Sequence, residues 1–528
     1  MGTRNSRFVK FLVLPLLLLS ICSCMVTAQT NPTATNAWKT ILTPDSTLVK
    51  VGTLKDPVEA TLMARASLIV SGVPATYLAT YERKLKTVID TVVGKTKSVS
   101  GNAARAEAAL VELHAGGVFK HYEENATTLI DILDTGTYNC VSSAVLYLLV
   151  LKNMGVQANG VDTPDHAFVI VDIDGRKIDV ETTNRHGFDP GSKKDFTDEF
   201  GRITGFSYVP PGEYAKREII GQKALISLIL SNRVVVLEQK NDYPSSLKLG
   251  VEVNAIRNDS KGKQFLMDRI NNMMVQLYEK QDYINADALA NAAVATLGKL
   301  TELKEDLQIA TYNLAVLYEN SGRYTEALEE IADIKSQGLV NDKLLEVGRV
   351  SLHNLIQKLL QQGDIAAART AIDKWDSVLG TKLVKDLDFQ ILEAELINAA
   401  QNKPFKEALA VLDKAVANGF ADKGRIEELV LYLYGKEANR TAATGDWLAA
   451  ADIALQGVKR VPGNAQLTQA AAGFRKNYVV TIHNQFAQLF NAKQYEQART
   501  LLLGALKTMP EDKTLLDDLK TVQAQLTR

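Results

Sequence analysis

The sequence predicts an α+β domain, built as a cysteine-opened helix packed on a small antiparallel sheet, followed by an all-α helical-repeat solenoid. Three observations carry this reading. Residues 141–154 are a strongly apolar run that begins after Cys140 and closes at Gly155. Two β-patterned runs, 166–173 and 176–181, flank Asp174-Gly175, the strongest short-range hairpin signal a sequence offers. From residue 219 onward only helical periodicity remains, and it recurs about every 41 residues.

The chain has 528 residues, of which 46% are hydrophobic, so there is enough apolar side chain for real cores. Its net charge of −1 gives no bulk attraction to nucleic acid or to acidic membranes. The start has the layout of an export signal, expected over 1–28. Arg4, Arg7 and Lys10 precede FLVLPLLLLSIC, which is too short to span a bilayer. Two processing sites compete. Val26-Thr27-Ala28 before Gln29 suits a signal peptidase, whereas Ile21-Cys22-Ser23-Cys24 is an imperfect lipobox that would place a lipid anchor on Cys24. Either outcome implies an exported bacterial protein, periplasmic or held at the outer membrane as a lipoprotein.

Cys22 and Cys24 fall in that segment, so the mature chain keeps one cysteine, Cys140, and no internal disulfide. A lone thiol in an oxidising compartment is a liability unless it is buried or used. A polar leader is expected over 29–44. Helical spacing then runs from 45 to 121, interrupted near Gly72 and Gly101 and stopped at Gly116-Gly117. One short helix around Leu129, Ile132 and Leu133 comes next, with a turn at 134–137. Asn139, or a residue beside it, is the expected N-cap of the apolar helix, which puts Cys140 in its first turn. Residues 184–212, rich in Gly, Pro, Asp, Lys and aromatic residues, read as an ordered loop region that closes the α+β domain at 45–218.

That placement has chemical consequences. A thiol at a helix N-terminus is biased toward the thiolate, and unpaired amides there can bind an oxyanion. His166, 26 residues on, would be the base, and a carboxylate on the return strand would orient it. Two carboxylates compete. With Asp174-Gly175 as a two-residue turn, Ile173 faces Arg176, and Glu181 sits one diagonal step from His166, ~7–8 Å at the backbone. Asp179 lies four residues along, ~13 Å away at ~3.3 Å per residue. Geometry favours Glu181; a bulge would shift the register and restore Asp179. His186, in a Gly- and Pro-containing loop, is not joined by enough histidines or cysteines for a structural zinc site, and no cofactor is expected.

The segments NCVSSAVLY, PDHAFVIV and IDVETT resemble the transglutaminase-like branch of the papain-like superfamily, over roughly 114–183. That resemblance implies a Cys-His-acid triad acting on amide or peptide bonds of a peptide or protein substrate. The family usually has Asp where this chain has Glu181. Nothing indicates an amine-acceptor site or a calcium loop, so hydrolysis is favoured over amine transfer.

In the C-terminal region, 219–528, a large residue recurs three positions before an alanine. The pairs are Tyr283/Ala286, Tyr324/Ala327, Ile365/Ala368, Phe405/Ala408, Trp447/Ala450 and Tyr495/Ala498, with alanines 41, 41, 40, 42 and 48 residues apart. Alanine at a fixed place lets two helices cross closely, the requirement of a stacked-hairpin solenoid. TYNLAVLYENSGRYTEALEEI resembles a tetratricopeptide repeat, which implies a groove for a protein or peptide partner. Two functions therefore compete: an exported cysteine enzyme carrying binding repeats, and a catalytically inactive transglutaminase-like scaffold. Mass spectrometry of protein from native cells should find a mature chain beginning at Gln29 or at acylated Cys24, and an intact Met1 would contradict both.

Overall fold

A computed structural model describes residues 32–55, 58–190, 203, 216–419 and 422–527. The export segment expected at 1–28, with Cys22 and Cys24, lies outside these residues, as does most of the loop region expected at 184–212. The described chain is mostly helical, and none of its helices is long and apolar enough to cross a membrane. It divides into two compact units, Met1–Ala310 and Thr311–Arg528.

The first unit opens with helices α1 (Pro32–Leu42), α2 (Ser46–Thr53), α3 (Ala60–Val70), α4 (Leu78–Thr96) and α5 (Asn102–Ala115). Strand β1 (His121–Tyr122), helix α6 (Leu129–Thr135), strand β2 (Thr137–Tyr138) and helix α7 (Cys140–Asn153) follow. Every residue of α7 from Val141 to Leu151 is buried, as expected of a helix apolar on all sides. Helices α3, α4, α5 and α6, the helix Gln222–Gln239 and the sheet pack around it.

That sheet has four antiparallel strands: β3 (Gln157–Asp162), β4 (Ala167–Ile173), β5 (Arg176–Val180) and β6 (Glu218–Ile220), in the order β5-β4-β3-β6. Ala167, Val169, Val171, Ile178 and Val180 share one core with α7, while Val161, Phe168 and Ile170 form a small cluster of the opposite parity. Asp174 (φ 55°) and Gly175 (φ 79°) are both left-handed, the requirement of a type I′ turn, and Ile173 pairs with Arg176. This is the register worked out from the Asp-Gly dipeptide. Strand β3 carries no β signal, since Gln157, Asn159 and Gly160 all disfavour strands; pairing on both sides imposes its conformation. Gly160 is required there, because a Cβ would meet the Leu225 side chain at 2.8 Å.

Of residues 29–44, expected as a polar leader, α1 takes up Pro32–Leu42 and buries Trp38 and Leu42, four apart on one helical face. The compact units divide at 310/311. Helices Gln222–Gln239, Tyr243–Arg257, Ser260–Glu279 and Tyr283–Leu297 fold with the first unit, and α1 packs along the second and fourth of these.

The recurring pairs all occupy equivalent positions. Tyr283, Tyr324, Ile365, Phe405, Trp447 and Tyr495 each begin a helix, and the six alanines three residues later are fully buried. The turns before them share one geometry. Gln281, Gly322, Gly363, Gly445 and Lys493 are left-handed, two residues before the helix starts, whereas the Phe405 helix follows an extended Lys403-Pro404. An additional copy escaped the alanine pattern: Tyr243 begins a helix after left-handed Asn241, and Ser246 stands where the alanine would be. Its hydroxyl is satisfied by Glu238 Oε1 at 2.8 Å. Ala327→Leu should overpack such a crossing and cost about 1–3 kcal/mol in urea denaturation, whereas Val350→Ala, on an exposed face, should cost under ~0.5.

Candidate functional site

The site forms where α7 begins and where β4 and β5 meet. Asn139 caps α7 with its side chain: Oδ1 accepts from the Val141 and Ser142 amides at 2.9 and 3.0 Å, and Ser142 Oγ accepts from the Asn139 amide at 2.9 Å. This reciprocal cap fixes the start of the helix at Cys140, which is half-buried. It also consumes donors. Ser143 N–H goes to the Asn139 carbonyl at 3.0 Å, so among the first four amides only that of Cys140 makes no hydrogen bond among the described residues. The expectation of several free amides at this terminus is thereby narrowed to one.

His166 immediately precedes β4. Its carbonyl accepts from both the amide and the hydroxyl of Thr163, at 2.9 and 2.8 Å. Its Nε2 lies 2.6 Å from Glu181 Oε2, and the two side chains are only 8% and 3% exposed. Cys140 also acts on this imidazole, favouring its protonated form. Burial would push the imidazole's pKa down; the Glu181 charge, the hydrogen bond that Glu181 accepts and the influence of Cys140 outweigh it and hold the pKa well above its ordinary value. A thiol, an imidazole and a carboxylate in this order can hold a proton on the imidazole and lower its cost with the carboxylate.

Glu181 owes its position to a buried strap. The β4–β5 ladder ends at Val180, and the Glu181 amide donates instead to the Gly187 carbonyl at 2.8 Å. Glu181 Oε1 accepts from the hydroxyl of Thr183 at 2.8 Å. Thr182, Thr183 and Asn184 are all buried, with the Thr183 carbonyl accepting from Tyr138 Oη at 3.2 Å and Thr182 Oγ1 lying 2.8 Å from Ser143 Oγ. His114 Nε2 donates to the Thr182 carbonyl at 3.1 Å. Gly187 has no room for a side chain, because a Cβ there would fall 1.9 Å from the Glu181 carbonyl oxygen.

Two tyrosines feel the charges of the site. The parallel pair β1–β2 sets Tyr122 beside Tyr138, ring centroids 5.9 Å apart and edge-on. Burial first, then the Cys140 and Glu181 charges, push the Tyr122 phenol's pKa far up. Burial and Glu181 bring that of Tyr138 to about 12. Both hydroxyls therefore stay protonated at any ordinary pH.

Asp179 is not part of this group. It pairs with Ile170, and its Oδ2 accepts from Arg217 Nη1 at 2.8 Å. The Arg217 guanidinium lies over the Phe168 ring, 5.3 Å from its centroid, and Phe168 in turn stacks on His166 at 6.2 Å. Among the described residues, Asp179 thus reaches the site through a chain of contacts that braces the imidazole. His121 is exposed, and His186 is engaged through its amide with Asn184 Oδ1 at 2.8 Å. Among the described residues no three His, Cys, Asp or Glu side chains gather as a metal site. Of the residues that matter here, His114, Tyr122, Ser143, Thr183, Gly187 and Arg217 were not singled out by sequence, because most act through backbone carbonyls or ring contacts that leave no motif.

No family profile matches the chain, and no curated protein resembles it significantly. The geometry therefore stands alone in assigning roles. Glu181→Gln should slow alkylation of Cys140 by iodoacetamide at least tenfold at pH 7, and Asp179→Asn by no more than about threefold, with both proteins folded by circular dichroism. The reverse ranking would make Asp179, not Glu181, the group that sustains the imidazole.

Proposed function

We propose that this is an exported, transglutaminase-like cysteine enzyme that cleaves amide or peptide bonds through an acyl-thioester, with helical repeats that bind protein or peptide. The observation that carries the proposal is the 2.6 Å contact between His166 Nε2 and Glu181 Oε2, at an imidazole on which Cys140 also acts. A buried histidine whose protonated form is favoured from two directions is costly to keep for packing alone.

In the proposed reaction the Cys140 thiol gives its proton to His166, and the thiolate attacks the carbonyl carbon, forming a C–S bond as the carbonyl π pair moves onto oxygen. The oxyanion meets the Cys140 amide at the positive end of α7. The imidazolium of His166 gives its proton to the leaving nitrogen as the C–N bond breaks. Water then adds to the thioester, His166 takes the water's proton, and the thiolate leaves as the carboxylic acid product is released. Glu181 stabilises the imidazolium at both stages. Water is favoured as the acceptor because no residue motif marks an amine-acceptor site. The six buried alanines support the repeat reading, and a groove along such hairpins would hold a protein or peptide.

An iodoacetamide-alkyne probe should label the mature protein at Cys140 at pH 7 in minutes. Cys140→Ser should abolish labelling and His166→Ala should slow it at least tenfold. Labelling no faster than that of free cysteine would remove the enzyme reading and leave the binding scaffold.

A further inference from the structure

A second feature of the first unit lies apart from Cys140. Helices α2 and α3 and helices Gln222–Gln239 and Tyr243–Arg257 enclose a cleft of about 340 Å³. Leu48, Ile69, Leu230 and Leu249 give it apolar walls. Arg233 stands in that wall. Its Nη1 donates to the Val70 carbonyl at 2.6 Å, and no carboxylate pairs with it among the described residues. Burial pushes the guanidinium's pKa down, and no neighbouring charge offsets the effect.

The cleft's other charges are already committed. Lys248 Nζ donates to the Thr43 carbonyl at 2.6 Å and pairs with Glu252 at 2.8 Å. Glu252 Oε2 also accepts from the Asp45 amide at 2.9 Å, and Asp45 Oδ1 caps α2 through the Thr47 amide at 2.7 Å. Among the described residues of the lining, Arg233 is therefore the one cation without a counter-charge. Room for it is made by Gly72, at φ 88°, where a Cβ would sit 2.8 Å from Arg233 Nη2. A half-buried, unneutralised guanidinium costs free energy that a bound anion would recover, and its planar fork fits a carboxylate through two parallel hydrogen bonds.

We propose that this cleft binds a carboxylate carried on a short apolar stem, with Arg233 gripping the carboxylate and the leucine and isoleucine walls holding the stem. A peptide ending in an aliphatic residue and a short fatty acid both offer that chemistry. The site is independent of the thiol reaction and stands whether or not Cys140 is catalytic.

Calorimetric titration of the full chain with N-acetyl-leucine and with hexanoate separates the two sources, and N-acetyl-leucinamide removes the charge while keeping the stem. At least one carboxylate should bind with Kd below about 1 mM, equivalent to roughly 4 kcal/mol, and the amide at least tenfold more weakly. Arg233→Gln should weaken carboxylate binding tenfold or more. Leu249→Trp, which fills the wall and leaves Arg233 in place, should do the same. Absence of binding by both carboxylates, equal binding of the amide, or unchanged binding by the Arg233→Gln protein would overturn the assignment.

Discussion

The buried contact between His166 and Glu181 is the constraint on which the first unit's organisation turns. An isolated carboxylate at 3% exposure would be expelled or neutralised, and an isolated imidazolium at 8% would lose its proton. The Glu181 charge favours the protonated imidazole, and separating such a pair costs about 3–5 kcal/mol because a buried charge is left alone. Most of what surrounds them serves to keep that contact in place. Thr183 occupies the second carboxylate oxygen, Tyr138 and His114 pin the strap's carbonyls, and Gly187 lets the strap close on itself.

Three independent parts of the fold converge on the pair. Helix α7 contributes the thiol, held in the first turn by the Asn139–Ser142 cap and anchored by a helix buried on every side. The β4–β5 hairpin contributes the imidazole and carboxylate, its register locked by two left-handed residues at the turn. The Asp179–Arg217 ion pair braces Phe168 against the histidine ring from the far side. A rigid helix, a pinned hairpin and a stacked aromatic are what a preorganised proton-transfer group needs, since small displacements weaken such contacts steeply.

Much of this was legible in the sequence, for identifiable reasons. Asp174-Gly175 dictates the turn, the turn dictates the register, and the register separates Glu181 from Asp179. The route from register to contact was less direct than a diagonal ladder step, because the ladder stops at Val180 and the strap carries Glu181 onward. Strand β3 was invisible because Gln157, Asn159 and Gly160 have no strand preference of their own. The extra repeat at Tyr243 was hidden by a serine satisfied by Glu238, and α1 by the Thr- and Asn-rich composition around Trp38. The number of free amides at α7 was overestimated, because a cap that fixes a helix start also spends its donors.

The most direct test of this account is a nitrogen-15 NMR titration of the His166 imidazole in the folded, full-length protein. The imidazolium should persist well above pH 6.5, with a strongly deshielded Nε2 proton bonded to Glu181. Because the folded pKa is raised, the pair's contribution to stability should be complete below about pH 6.5 and fade as pH climbs through the folded value. Titration at or below pH 6.5, with no deshielded proton, would contradict the claim that the pair is buried, charged and organising.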